Sequence, residues 1–209
     1  MRLKCTFLLV FVLLFNIVFS QIDPNAKKIL DNVSAKVKSY KGITGSFSIK
    51  SITSKGRNNG TKNGNITLKG KKYILKQGKT EIICDATNIY NFDGNRTVTV
   101  TPVEESGQTL SPQNLLSNFY DKDFSYKLLN SNAGFYEIEL VPNDKRKNYS
   151  KVTVFVDKKK DMITKAKILD KTNNTIEFTL KNINTLATIT DNLFVFNKSK
   201  YPKNIEILD

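Results

Sequence analysis

Two hydrophobic periods divide the chain. From Ile22 to Tyr40, the apolar residues Ile22, Ala26, Ile29, Leu30, Val33, Val37 and Tyr40 recur three or four positions apart, which is one face of an α-helix. Lys27, Lys28, Asp31, Lys36 and Lys38 fill the other faces. Asp23 is placed to cap this helix, Pro24 occupies its first turn, where a missing N–H costs nothing, and Gly42 supplies a stop. No other helical stripe of this length exists to pair with it, so its apolar face is expected to lie on a sheet.

From Thr44 the period becomes two. Phe47 and Ile49 alternate with Ser46, Ser48 and Lys50. Ser54 to Gly64 has no periodicity and reads as a hairpin tip. Alternation resumes at Ile66 and Leu68, turns at Gly70-Lys71-Lys72 and continues through Tyr73 to Lys76. A three-strand meander follows, Glu81–Cys84, Ile89–Phe92 and Thr97–Thr101, with turns at Asp85–Asn88 and Asp93–Asn95. Ser111-Pro112 then opens a second helix whose apolar side is Leu115, Leu116 and Phe119. Beyond it lie strands at Phe124–Leu129, Phe135–Leu140, Lys151–Val156, Met162–Leu169, Thr175–Leu180 and Leu193–Phe196, with Ile205–Leu208 as a last strand or tail. About eleven short strands in meander order predict antiparallel pairing throughout. A sheet of that size curls, and two amphipathic helices are available to cover its concave face. The expected fold is mainly β with an α lid: a half-closed antiparallel β-barrel of about eleven strands covered by short helices.

The N-terminus changes the boundaries of this picture. Arg2 and Lys4 precede an apolar run from Phe7 to Phe15, extended by Ile17, Val18 and Phe19, and Ser20 is a small residue at its end. This is the pattern of a secretory signal peptide over residues 1–20, leaving a single domain at 21–209. The run is short for an uncleaved membrane anchor. Cys5 precedes the apolar run, so it cannot be a lipidated cysteine at the cleavage site. Cys84 then stands alone in an apolar strand, as a small core residue rather than a nucleophile. The formal charge is +14, of which Arg2 and Lys4 leave with the leader. Such a surface attracts anionic membranes or acidic partners. The lysines scatter over every segment and the destination lies outside the cytoplasm, which argues against nucleic acid. Abundant Asn, Lys and Ile suit an AT-rich bacterial genome, where Asn-x-Ser/Thr triplets such as Asn95-Arg96-Thr97 carry no glycosylation meaning.

Candidate chemistry is sparse. The chain has no histidine, which removes the usual general base, most zinc sites and His-paired nucleophiles. Asp85 and Asp93 bracket one strand but sit in turn sequences that favour Asp for local hydrogen bonding. These residues suggest no enzyme, no metal and no cofactor. What recurs instead, at strand parity, is apolar surface: Phe47, Ile49, Ile66, Leu68, Tyr73, Leu75, Tyr90, Phe92, Phe135 and Ile138. Any one of them reads as ordinary core. As a set on a wide sheet under two helices they suggest an enclosed apolar ligand.

From Cys84 onward the chain resembles a known family. A strand leads to Asp85, then to the aromatic strand Ile89-Tyr90-Asn91-Phe92, a threonine/valine strand, and the helix start Ser111-Pro112-Gln113-Asn114-Leu115-Leu116. This order is similar to that of the LolA family of periplasmic lipoprotein carriers. Lys38 to Phe47 resembles that family's helix end and first strand, and Tyr201 to Ile207 its closing tail. The resemblance implies an unclosed barrel under a helical lid, acting as a monomer in the periplasm. It implies acylated lipoproteins as cargo, an inner-membrane lipoprotein-releasing transporter as donor and an outer-membrane acceptor. Phe47, Ile49, Leu68, Tyr73, Leu75, Tyr90 and Phe92 would line the acyl-chain groove. Leu115, Leu116 and Phe119 would close over it, with Leu30, Val33 and Val37 as the inner face of the first lid helix. The family's lid-locking arginine has no counterpart: Gly70-Lys71-Lys72-Tyr73 stands in its place, so Lys71 or Lys72 would supply the latch. Two rival classes remain, the second of which nothing in the sequence asks for. One is a lipid-binding or envelope-sensing domain of the same fold that ferries nothing; the other is a histidine-free lipid hydrolase.

Overall fold

The computed structural model describes residues 23–105, 110, 115, 120 and 123–209. The proposed leader and most of the segment from 106 to 122 lie outside them. Helix α1 spans Pro24–Ser39. Strands follow as β1 (Ile43–Ile52), β2 (Asn58–Lys69), β3 (Lys72–Gln77), β4 (Thr80–Cys84), β5 (Asn88–Phe92) and β6 (Thr97–Pro102). After the 106–122 region come β7 (Phe124–Ser131), β8 (Phe135–Pro142), β9 (Tyr149–Asp157), β10 (Met162–Asp170) and β11 (Thr175–Asn184). The chain closes with 3₁₀ turns at Asp191–Phe194 and Lys198–Lys200 and a short strand β12 (Glu206–Leu208).

The twelve strands of the described residues form one sheet in the order β12-β6-β5-β4-β3-β2-β1-β11-β10-β9-β8-β7. The sheet does not close, because β12 and β7 are its two edges. Two meanders, β1–β6 and β7–β11, meet where β11 returns to pair antiparallel with β1. Pairing is antiparallel except at the β12 edge, which runs parallel to β6.

Local chemistry explains most boundaries. The Asp23 carboxylate accepts the N–H groups of Asn25 at 2.8 Å and Ala26 at 3.3 Å, so two orphan donors of the first turn are satisfied. Helix α1 ends at Ser39, before the expected stop at Gly42. Gly42 serves packing instead: a Cβ there would lie 2.5 Å from Ile189 Cδ1 and 2.9 Å from the Ala187 carbonyl oxygen. Asp85 Oδ1 accepts from the N–H groups of Thr87 and Asn88 at 2.8 and 2.7 Å. Asp93 Oδ1 does the same for Asn95, Arg96 and Thr97. Both carboxylates hold turns.

Three expectations need correction. The stretch Ser54 to Gly64 is not all loop, since β2 begins at Asn58 and pairs with β1 through Thr61, Lys62, Asn63 and Gly64. Its side chains are almost all exposed, so it carries no apolar alternation, yet the backbone ladder forms without one. Leu193–Phe196 is not a strand: Asp191–Phe194 is a 3₁₀ turn within a segment that crosses one face of the sheet. The last strand is parallel, where hairpin spacing had pointed to antiparallel pairing alone.

Candidate functional site

The two faces of the sheet carry separate apolar clusters. On one face the register lines up Ile43, Leu68, Tyr73, Cys84 and Ile89 across β1 to β5. The next row is Ile66, Leu75 and Ile82. Further along β1, Phe47 lies opposite Leu180 and Ile49 opposite Phe178, and the second row continues through Ala166, Val154 and Ile138. All of these belong to the main core together with Ala26, Leu30, Val33 and Val37 of α1. This is the helix face.

Helix α1 packs chiefly on β7 and β10, on the second-meander half of that face. Leu30 and Val33 are completely buried there. On the first-meander half, Phe47, Leu68 and Tyr73 are buried, whereas Ile49, Leu75, Ile82 and Ile89 are only half-buried. Leu115 is also buried in this cluster. Tyr120, buried as well, donates its hydroxyl to Asp31 Oδ1 at 3.2 Å, which ties the end of the 111–120 stretch to α1. Leu116 and Phe119 lie outside the described residues.

Burial pushes the Tyr73 hydroxyl and the Cys84 thiol above their ordinary pKa values. The Cys84 sulfur sits 3.7 Å from the Lys71 carbonyl oxygen. Among the described residues, no group of three His, Cys, Asp or Glu side chains is placed to hold a metal ion.

Tyr90 and Phe92 are not on this face. Tyr90 is in register with Ile83 and Val100, and Phe92 with Glu81 and Val98, on the opposite side of the sheet. There the C-terminal segment covers them. Phe194 is fully buried against Ile74 and Ile83. Phe196 stacks on Tyr90 with ring centres 4.7 Å apart, and Tyr201 meets Phe92 edge-on at 4.9 Å. The Tyr201 hydroxyl donates to Glu81 at 2.6 Å. The groove assignment of these two aromatics is therefore corrected: strand parity places Ile89, not Tyr90, toward the helix.

The latch assignment changes for the same reason. Lys72 shares the opposite face with Ile74, and its Nζ pairs with Asp191 Oδ1 at 2.9 Å. Lys69 grips the other oxygen of Asp191 at 2.9 Å and the Ile189 carbonyl at 2.9 Å. These two lysines fasten the C-terminal segment, not a lid. Lys71 is exposed in the β2–β3 turn. A cavity of about 670 Å³ opens where α1 ends, between Tyr40, Lys41 and Lys69 and the stretch from Thr185 to Ile189; none of the expected groove residues lines it.

Ile82, Ile89 and Phe178 were missed as helix-face residues, and so was the whole C-terminal cover. A signal for the cover exists in the sequence. Tyr73-Ile74-Leu75 and Ile82-Ile83-Cys84 are continuous apolar runs, the mark of strands buried on both faces.

Residues 38–197 match the family model described as outer membrane lipoprotein carrier protein LolA. The chain belongs to the LolA family. An open sheet with α1 on one face is this family's fold, and the family is one of periplasmic or envelope proteins. Among solved structures, an uncharacterized conserved protein from Thermus thermophilus aligns with a TM-score of 0.58 at 8% identity, over 88% of this chain and 98% of that one. MucB aligns with a TM-score of 0.51 at 11% identity, over 84% of this chain and 64% of that one. The Mycobacterium tuberculosis lipoprotein LppX aligns at 0.50 with 11% identity, over 80% and 100%. At such identities the likeness is one of fold. No curated protein sequence matches this LolA-family chain.

Proposed function

We propose that the protein is a periplasmic carrier that shelters lipoprotein acyl chains on the helix face of β1–β5. It would take them from an inner-membrane releasing transporter and deliver them to an outer-membrane acceptor. The reading rests on family membership and on one observation. Ile49, Leu75, Ile82 and Ile89 are half-buried apolar side chains on the half of the helix face that α1 does not chiefly cover. Phe47, Leu68 and Tyr73 are already buried and would form the floor beneath the chains.

The physical need for a carrier is large. Each methylene withdrawn from water is worth about 0.8 kcal/mol, so a multi-chain lipid anchor does not cross an aqueous space unaided. A surface that is apolar yet incompletely covered can accept such chains and release them, which a solidly filled core cannot.

The test is native purification followed by mass spectrometry of bound lipid, then uptake of a fluorescent acyl probe. Acylated cargo is expected, and Leu75→Glu and Ile82→Glu should each depress probe uptake at least tenfold with the β-sheet circular dichroism retained. Absence of bound lipid together with absence of probe uptake would sink the proposal. Uptake without transfer of cargo to acceptor membranes would favour the lipid-reading, envelope-sensing domain over the carrier.

A further inference from the structure

The C-terminal strap, residues 185–209, has an outer side unlike the rest of the surface. Of the seven large apolar side chains exposed among the described residues, five lie in it: Leu186, Leu193, Val195, Ile207 and Leu208. The pattern at its centre is specific. Phe194 and Phe196 point into the sheet, and the alternating Leu193 and Val195 are 43% and 56% exposed. Outward positions of a strap over an aqueous surface are ordinarily polar, and contiguous apolar ones mark an interaction site.

Charge accompanies these residues. Lys198, Lys200 and Lys203 follow directly, all exposed, and none forms a salt bridge among the described residues. The strap's Asp191 is neutralised by Lys69 and Lys72, and its other acids, Glu206 and Asp209, lie beyond Lys203 at the far end beside Ile207 and Leu208, so the basic apolar patch is the 193–203 part. Lys200 also lines, with Lys79 and Thr80, a cavity of about 220 Å³ beside the strap; the Glu81 carboxylate there is taken by Lys76 and the Tyr201 hydroxyl.

We propose that the outer side of this strap docks on an anionic lipid bilayer. Leu193 and Val195 would enter the headgroup boundary, and Lys198, Lys200 and Lys203 would meet lipid phosphates. Amphiphilic elements of this kind bind by buried apolar area plus attraction to anionic headgroups, the two contributions adding. An acidic protein surface would match the lysines but leave the two apolar residues without a partner. The site lies on the face opposite the side chains proposed to hold acyl chains, so it does not depend on what they hold.

Vesicle co-sedimentation of the purified protein tests this, using phosphatidylcholine vesicles with and without phosphatidylglycerol. Binding is expected only with phosphatidylglycerol and should fall steeply with added salt. Replacing Lys198, Lys200 and Lys203 together by Gln should weaken it by about a hundredfold, roughly fivefold per lysine. The double variant Leu193→Ser, Val195→Ser keeps every charge and should also lose binding. Both sets of changes face outward, so an unchanged thermal melt will report an intact fold. Equal binding to neutral and anionic vesicles, no binding to either, or binding indifferent to both sets of variants would overturn the proposal.

Discussion

Asp23 joins α1 to the edge strand β7 through Leu128. One carboxylate oxygen caps the helix, and the other accepts the Leu128 N–H at 3.0 Å. The Asp23 N–H in turn donates to the Tyr126 carbonyl at 3.2 Å. An edge strand that would offer open backbone groups to another chain is thus partly occupied by the protein's own helix start.

The Leu128 N–H is the leading reason that the Asp23 carboxyl titrates below its ordinary value, ahead of the cap bonds from Ala26 and Asn25. A depressed carboxylate contributes stability that is whole above the ordinary value of 3.8 and fades as pH falls below it. Asp23→Ala is expected to cost about 1–2 kcal/mol at neutral pH. Urea unfolding at neutral pH and at the acid end of the range will show the cost shrinking as the wild-type carboxylate protonates.

Gly64 is required by the Lys76 carbonyl and by Phe47. A Cβ at position 64 would lie 2.5 Å from Phe47 Cζ and closer still to the Lys76 carbonyl oxygen. Phe47 is also paired with Phe178, ring centres 6.2 Å apart, which limits its escape. Gly64→Ala should therefore destabilise by about 1–3 kcal/mol through overpacking. The double variant Gly64→Ala, Phe47→Leu should recover part of that loss. Thermal melts of the four members of this cycle measure the coupling.

Tyr120 ties the 111–120 stretch to α1 through Asp31. Tyr120→Phe removes that bond while keeping the ring that meets Tyr126 edge-on at 6.0 Å. A loss of about 1 kcal/mol is expected, seen as roughly fivefold faster amide hydrogen exchange at Leu115 and Tyr120. Exchange within α1 should not change, because Asp31 keeps its ion pair with Lys27 at 2.8 Å.

The strap is pinned by Asp191. Lys72, and then Lys69, hold its carboxyl down at about 2 from an ordinary 3.8. This tie is complete above 3.8 and is lost as pH falls through about 2. Asp191→Asn should expose residues 185–209 to protease at neutral pH with the rest of the sheet intact. Pepsin digestion at descending pH should then show wild type converging on the variant as Asp191 protonates.

Sequence alone carried the local structure. The cap at Asp23, the α1 stripe, the turns at Asp85 and Asp93 and most strand positions depend on residues a few places apart, and short-range periodicity and turn chemistry express them directly. Phe47, Ile49, Leu68, Tyr73 and Leu75 share one face: Phe47 and Ile49, like Tyr73 and Leu75, are two positions apart on a strand, a spacing that keeps each pair on one side. The family resemblance, argued from the order of strands and helix starts, agrees with the match over residues 38–197. Tertiary structure alone decided which way Ile89 and Tyr90 point. Alternation gives two faces but does not say which one meets α1 when both are apolar. That choice depends on Phe194, Phe196 and Tyr201 arriving from more than a hundred residues away to cover Ile74, Tyr90 and Phe92. The pairing of β11 with β1 and of β12 with β6 was likewise set by long-range contacts, whose burial offsets a loop-closure entropy that no local pattern records.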